Sequence, residues 1–218
     1  MKDEYSETYG RNSRIPARRH SYNSRLEILR HSVSKNGLVL DVGSATGDYA
    51  IDLWNDGYDV ICCDIDLENL RTLKTKEGNL DAVEGNAVEL PFKDESFETV
   101  MSLNSFRYFI NGRKSLTEFN RVLKTGGLLV LIDHNRLCPD TLMFTYDVAR
   151  YYTLKELKEM LSETGFRTVS ERLTFVPPPW IPGTVLEAVS DCMGKVGRIG
   201  INLIYPEITI KAVKGEQD

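Results

Sequence analysis

The segment Gly37-Leu38-Val39-Leu40-Asp41-Val42-Gly43-Ser44-Ala45-Thr46-Gly47-Asp48-Tyr49-Ala50 constrains the fold more than any other stretch of the chain. It is a short apolar run that carries an acid near its end and then breaks into small residues. Leu38 to Val42 suits a strand buried on both faces of a parallel sheet. Gly43 and Gly47 allow positive φ and let a ligand approach the backbone where a larger side chain would collide. The turn then opens a helix whose first N–H groups are unpaired and point above the sheet. Strand, tight turn and helix start, in that order, outline a small-molecule site.

The rest of the chain repeats the pattern. Tyr49, Leu53 and Trp54 give one apolar face to a helix ending at Gly57. Asp59 to Asp64 is a second buried strand that stops at an acid, and Asp66 is placed to cap a helix over Leu67 to Lys76. Leu80 to Glu84 is a third strand and Phe97 to Leu103 a fourth, running into the polar and aromatic segment Asn104 to Phe109. Leu116, Phe119 and Leu123 mark a helix that Gly126-Gly127 is expected to close, and Leu128 to Ile132 is a fifth strand ending at Asp133, His134 and Asn135. Thr153 to Glu156 is a capping box for a helix that ends at Gly165, and Phe166 to Phe175 and Ile201 to Val213 read as two closing strands. Alternating strands and helices predict an α/β fold, a parallel sheet with helices on both faces. Right-handed crossovers bring the C-terminal ends of the strands to one edge, where such sheets bind ligands.

A chain of 218 residues is read as one domain, residues 36–218, preceded by an arm and lead-in helix over 1–35. Residues 1–24 are polar, with Tyr5, Tyr9 and Tyr22 among Arg11, Arg14, Arg18, Arg19 and the following Arg25, and Arg25 to Ser32 has helical spacing. Such an arm is either a lid over a small-molecule site or a grip on nucleic acid. The net charge of −5 favours the lid, because no chain-wide basic field draws in phosphates. No apolar run approaches the roughly 20 residues of a spanning helix, and a cytoplasmic address is expected. Cys62, Cys63, Cys138 and Cys192 form no CxxC pair and no metal spacing with histidine, so they read as free thiols. Cys62 and Cys63 point to opposite faces of their strand.

A dinucleotide fingerprint starting at Gly43 needs glycines where Ala45 and Asp48 stand, and Asp48 sets a negative charge where a pyrophosphate belongs. The turn instead suits a nucleoside ligand without a phosphate. Asp64, at the end of the second strand and roughly 20 residues beyond the turn, has the chemistry to accept hydrogen bonds from both ribose hydroxyls. With Asp66 as the helix cap, Asp64 is expected to be free for that duty.

Five segments in this order resemble the class I S-adenosylmethionine-dependent methyltransferases over about residues 36–170. Leu40-Asp41-Val42-Gly43-Ser44-Ala45-Thr46-Gly47 is similar to the family's first motif, Asp64 falls on its ribose-binding acid, and Gly85-Asn86-Ala87-Val88-Glu89-Leu90-Pro91-Phe92 on its adenine-binding loop. Ser96-Phe97-Glu98-Thr99-Val100 resembles its fourth strand, and Arg121-Val122-Leu123-Lys124-Thr125-Gly126-Gly127 its later helix-to-strand turn. The resemblance implies a Rossmann-like, doubly wound, mostly parallel seven-stranded sheet with an antiparallel last strand, capped by the arm and by an insertion over 177–199. It implies S-adenosylmethionine as cofactor, giving S-adenosylhomocysteine, with Asp41, Gly43, Ser44, Ala45, Gly47, Asp64, Ile65, Asn86, Ala87 and Leu103 around it. The sequence departs from the family in two places. Ala45 replaces a central glycine, a change the turn accepts if Ala45 keeps negative φ, and Asn86 replaces an acid, leaving its amide oxygen to accept from the adenine amino group.

Methyl transfer is in-line displacement, so the protein chiefly aligns donor and acceptor, and a base is needed only where the nucleophile loses a proton. By the resemblance, the acceptor side lies after the fourth and fifth strands. His134 is the candidate base, titrating near neutrality, or else caps its strand. Arg107 and Tyr108 either orient a polar acceptor or pack. Asp133 and Asn135 offer two oxygens with no third ligand in view, so no metal is expected. Trp180, Ile181, Leu186, Val189 and Met193 read as a pocket lid or a dimer contact. The expected function is methylation of a small-molecule acceptor by a monomer or homodimer. An RNA or protein methyltransferase using the arginine-rich arm, and a non-catalytic S-adenosylmethionine-binding regulator, remain as alternatives.

Overall fold

Seven strands form one sheet in the order β3-β2-β1-β4-β5-β7-β6. They are β1 (Leu38–Val42), β2 (Asp59–Asp64), β3 (Asp81–Glu84), β4 (Phe97–Leu103), β5 (Leu123–His134), β6 (Phe166–Thr174) and β7 (Glu207–Lys214). The structure is a computed structural model and describes residues 13–137, 149–174, 176, 183–185, 188, 192 and 207–215. β1 to β5 are parallel, while β7 runs antiparallel to both of its neighbours. The helices are α1 (Pro16–Ser32), α2 (Asp48–Asn55), α3 (Leu67–Lys76), α4 (Gly112–Val122) and α5 (Leu154–Glu163). Two apolar clusters cover the two faces. One packs Leu40, Val42, Phe106, Phe119 and Leu161 with the inner side chains of β7, and the other packs Leu26, Leu29, Val39, Ile51, Leu53 and Ile132. Cys62 and Cys63 fall into opposite clusters, as period-two alternation requires, and both are free thiols.

β1 pairs with β2 on one side and β4 on the other. The chain therefore leaves β1 in one direction and later returns on its other flank, which opens a crevice above the C-terminal end of β1. The turn that fills it bends at three positive φ values, Gly43 at 74°, Ala45 at 49° and Gly47 at 75°. The negative φ expected of Ala45 is not observed. Its N–H is drawn onto the Asp64 carboxylate at 2.7 Å, and the left-handed backbone is what aims it there.

The N-terminal helix starts earlier than its apolar spacing suggested. α1 begins at Pro16 and buries Ala17, Ser21, Tyr22, Arg25, Leu26 and Leu29, an i, i+4 stripe masked in the sequence by its polar members. Residues 16–24 thus belong to a packed helix rather than to an arm, while Tyr5, Tyr9 and Arg11 lie outside the described residues. Tyr22 stacks on Tyr49 with ring centroids 4.4 Å apart, and its hydroxyl donates to the Asp52 carboxylate at 2.6 Å. Arg25 forms a buried ion pair with Glu207 at the start of β7, joining the two ends of the described chain.

Other boundaries moved for local reasons. α4 ends at Val122 because Leu123 pairs with Phe97, and the chain then reaches the Thr99–Leu128 pair through a register shift. Gly126-Gly127 therefore lies in this irregularity at the start of β5 and does not cap α4. The third strand starts at Asp81, with Leu80 buried just before it. The capping box at Thr153 and Glu156 forms with both of its hydrogen bonds, and Gly165 follows α5 at positive φ. Gly183–Val185 is a 3-10 turn. Phe175, the proline run, Trp180 and the remaining apolar residues expected to form a lid lie outside the described residues, as does Cys138.

Two stability measurements test these contacts. Glu207→Ala leaves the Arg25 guanidinium buried without its partner and is expected to cost about 3–5 kcal/mol in urea denaturation, whereas Arg25→Met with Glu207→Leu should restore most of the loss. Ala45→Gly relieves a left-handed alanine and should raise stability by up to about 1 kcal/mol in the same assay.

Candidate functional site

Two carboxylates share one face of the sheet at the β1 crevice. Parallel register sets Asp41 beside Cys62, and Asp64 follows two residues on along the same face of β2. The Asp64 oxygens are not free. Oδ2 accepts the Ala45 N–H at 2.7 Å and Oδ1 the Asp66 N–H at 2.8 Å, while Asp66 caps α3 through Glu68 N as expected. Each carboxylate oxygen keeps a further lone pair, so Asp64 both fixes the turn and can accept from ligand hydroxyls. Asp41 is almost fully buried, and no described residue donates a hydrogen bond to its carboxyl. Burial, with the nearby Asp64 charge adding to it, pushes the Asp41 carboxyl up to about 8.

The glycines of the turn serve protein packing as well as backbone angle. A Cβ on Gly43 would lie 2.5 Å from Ser105 Cβ, and one on Gly47 would lie 2.4 Å from Leu73 Cδ1. Ser105 in turn donates to the Val42 carbonyl at 3.0 Å, so the turn after β4 is seated directly on the turn after β1. Ser44 Oγ is buried and has no hydrogen-bond partner among the described residues.

On the other side of Asp64, Ile65 is 66% exposed, a large apolar side chain left uncovered. Ala87 is buried and Asn86 is exposed, its Oδ1 accepting the Val88 N–H at 3.1 Å. The amide oxygen expected to face a ligand is thus turned into its own loop. That loop is held from α4 by two residues the sequence reading passed over. Glu118 accepts the Leu90 N–H, and Arg121 donates to the carbonyls of Leu90 and Phe92. Leu103 is buried at the end of β4.

Beyond β4 the polar groups are tied together by Asp133. Its Oδ2 accepts the Arg107 N–H at 2.9 Å, and Oδ1 accepts from the Arg107 guanidinium and from the His134 N–H, both at 2.6 Å. Both carboxylate oxygens are engaged, so Asp133 is a staple between the two turns. Among the described residues no group of three or more His, Cys, Asp and Glu is placed to hold a metal. Arg107 lies over the Tyr108 ring at 4.6 Å, and Tyr108 is half exposed. His134 differs from expectation. Burial and then the Arg107 charge push its imidazole down to about 4, so it is neutral at pH 7 instead of titrating there. Its ring meets Tyr151 edge-on, and cross-strand pairing puts Glu207 beside it. Asn104 was not singled out in the sequence. It holds a left-handed φ of 56°, and its Oδ1 is buried without a partner among the described residues. Only its position after a strand end hinted at this, since Asn tolerates that conformation.

Comparisons with known proteins agree with this layout. A family model described as "Methyltransferase domain" matches residues 40–131. A demethylmenaquinone methyltransferase of Paenarthrobacter aurescens is 36% identical over 95 residues, 44% of this chain and 38% of that protein. A ubiquinone/menaquinone biosynthesis C-methyltransferase of Proteus mirabilis is 27% identical over 164 residues, 70% of this chain and 65% of that protein. The chain thus spans less than two thirds of these curated relatives. An S-adenosylmethionine-dependent methyltransferase of Methanosarcina mazei has the same fold, with TM-score 0.67 and 19% identity over 87% of this chain and 98% of that one. The [4+2]-cyclase SpnF shares it too, with TM-score 0.71 and 16% identity over 91% of this chain and 83% of that one. Residues 40–131 are thus matched by a methyltransferase-domain model, and the strand order, the glycine turn and the acid ending β2 are laid out as in the S-adenosylmethionine-dependent methyltransferase fold.

Proposed function

We propose that the protein transfers the methyl group of S-adenosylmethionine to a small-molecule acceptor. The observation that carries this reading is the left-handed turn over Gly43–Gly47, held on Asp64 at the strand-order reversal. The residues around it fit this cofactor. Asp64 keeps lone pairs for ribose hydroxyls, Ile65 offers an uncovered apolar surface to the adenine, and Ala87 and Leu103 form the walls. Asn86 accepts from the adenine amino group only through the second lone pair of its oxygen, a weaker contact than an acid would make. Gly43, Ser44, Ala45 and Gly47 line the methionine half, where Asp41 and Ser44 Oγ have polar atoms to spare.

The cofactor supplies a methyl carbon on a cationic sulfur, with a neutral thioether as leaving group. The chain's own part is alignment. The turn after β4, seated on the β1 turn through Ser105 and stapled to β5 by Asp133, fixes the wall facing the acceptor. His134 is neutral, so it can accept a proton from a bound nucleophile, though its low basicity suits a proton already acidified by methylation. Arg107 acts through Asp133 rather than on the acceptor, and Tyr108 lies at the exposed rim.

The acidic net charge and the names of the curated relatives, which refer to quinone biosynthesis, support a small acceptor handled in the cytoplasm. No helix among the described residues is long and apolar enough to cross a membrane. The RNA-binding alternative loses part of its arm, because Tyr22 and Arg25 are packed inside. A cofactor-binding regulator is favoured by one observation, the diversion of the Asn86 oxygen into its loop. It would show cofactor affinity without turnover across a broad acceptor panel.

Asp64→Ala should weaken S-adenosylhomocysteine binding by about 1–3 kcal/mol in calorimetry, and unchanged affinity would remove the ribose assignment. The His134 imidazole should hold its neutral chemical shifts from pH 5.5 to pH 8 in an NMR titration. A transition near pH 6.5 would contradict its buried, cation-flanked setting.

A further inference from the structure

The strand pair at the far edge of the sheet, β7 and β6, carries cations that the cofactor reading does not use. Cross-strand partners share a face, so the register of β5, β7 and β6 sorts their side chains. On the face that α1 packs against, β7 presents Thr209 and Lys211, and β6 sets Arg172 beside the first and Ser170 beside the second. Arg167 stands farther along the same face, beside Val213. Arg167 and Arg172 are an odd number of residues apart, so strict alternation would send them to opposite faces. The register shift between Thr168 and Ser170 inserts one extra residue, Val169, and brings both onto this one. Glu171 falls on the other face, where it pairs with Lys158 at 2.6 Å.

Arg167, Lys211 and Arg172 thus form a zigzag row of cations, and none of them has an ion-pair or hydrogen-bond partner among the described residues. Arg167, Ser170 and Arg172 are exposed, and Lys211 is half-buried. The acid that β7 places on this face, Glu207, is already taken by Arg25. Two hydroxyls beside the row are unspent. Thr209 is 3% exposed and its Oγ1 has no hydrogen-bond partner, and the same holds for the buried Oγ1 of Thr174, the next residue along this face of β6. A buried hydroxyl without a partner is a cost that a ligand can remove. Unpaired cations next to unspent hydroxyls, in a chain of net charge −5, are completed by an oxyanion that accepts from both. We propose that Arg172, Lys211, Ser170 and Thr209 form a receptor for a phosphate group carried by a ligand, with Arg167 as an outlying cation. Arg172 offers a planar fork to two phosphate oxygens and Lys211 a point charge across the strand pair. The hydroxyls of Ser170 and Thr209 turn about χ1 to donate to the remaining oxygens. Neighbouring Cβ atoms on such a face are roughly 5 to 8 Å apart, a spacing that lets these donors converge on one ion. β4 and β5 separate this face from the β1 crevice, so the receptor does not depend on the cofactor reading.

The test is an amide NMR titration of the full chain with inorganic phosphate at constant ionic strength, with chloride making up the balance. The signals of Ser170 to Leu173 and of Thr209 to Ala212 should follow one saturating curve while those of β1 and β2 stay in place. Arg172→Met combined with Lys211→Met should weaken phosphate binding by at least about tenfold, through loss of two charge-assisted contacts. Thr209→Val keeps shape and charge and should weaken it by roughly threefold or more. A patch that merely gathers counterions would not respond to that change. Shifts that rise linearly without saturating, or an affinity unchanged in either variant, would overturn the inference. A second arm uses vesicles of phosphatidylglycerol in phosphatidylcholine. Sedimentation of the wild-type protein with them, lost in the double variant, assigns the phosphate to a lipid headgroup, and protein left in the supernatant assigns it to a soluble ligand.

Discussion

Hydrogen bonding of β1 to β2 on one flank and to β4 on the other is the constraint on which the rest of the structure depends. A strand buried on both faces has no solvent side to relax toward, so its end must be closed by backbone that turns sharply in little space. Left-handed angles at Gly43, Ala45 and Gly47 meet that requirement. The crevice is therefore a product of strand order, and the ligand site follows from it before any side chain is chosen.

The polar groups around the crevice follow one rule on both flanks. Asp64, ending β2, reaches across to the backbone N–H of Ala45 after β1. Asp133, near the end of β5, reaches across to the backbone N–H of Arg107 after β4. In each case an acid on an outer strand holds the turn of its inner neighbour. A carboxylate accepting backbone N–H groups is among the stronger ways to fix a loop, because the bond is charge-assisted. Asp41 stands between these two flanks and receives no such bond from the described residues.

Most of the sheet was legible because its strands are short apolar runs separated by turn residues, and the Asp66 cap and the capping box at Thr153 are local chemistry. What was not legible came from contacts distant in sequence. Ala45 takes a left-handed angle because a carboxylate on another strand draws its N–H, which no property of alanine announces. α1 extends to Pro16 because Tyr22 and Arg25 find partners on α2 and β7, although their polarity hides the stripe. His134 is neutral because of burial and Arg107, neither visible from a histidine after a strand. The Asn86 amide oxygen folds back to accept from Val88 N–H, a local side-chain-to-backbone bond that its place in the loop did not announce.

The pairing of Arg25 with Glu207 bears on how the chain is made. The two partners lie 182 residues apart in the chain, so the buried guanidinium of α1 has no counterion until β7 has been made and docked. Until then β5 lacks its antiparallel neighbour, while the β1–β2–β3 half can already assemble. A chain that stopped before β7 would therefore carry the β1 crevice together with a buried, uncompensated guanidinium, so that docking of β7 rather than closure of the crevice completes the fold.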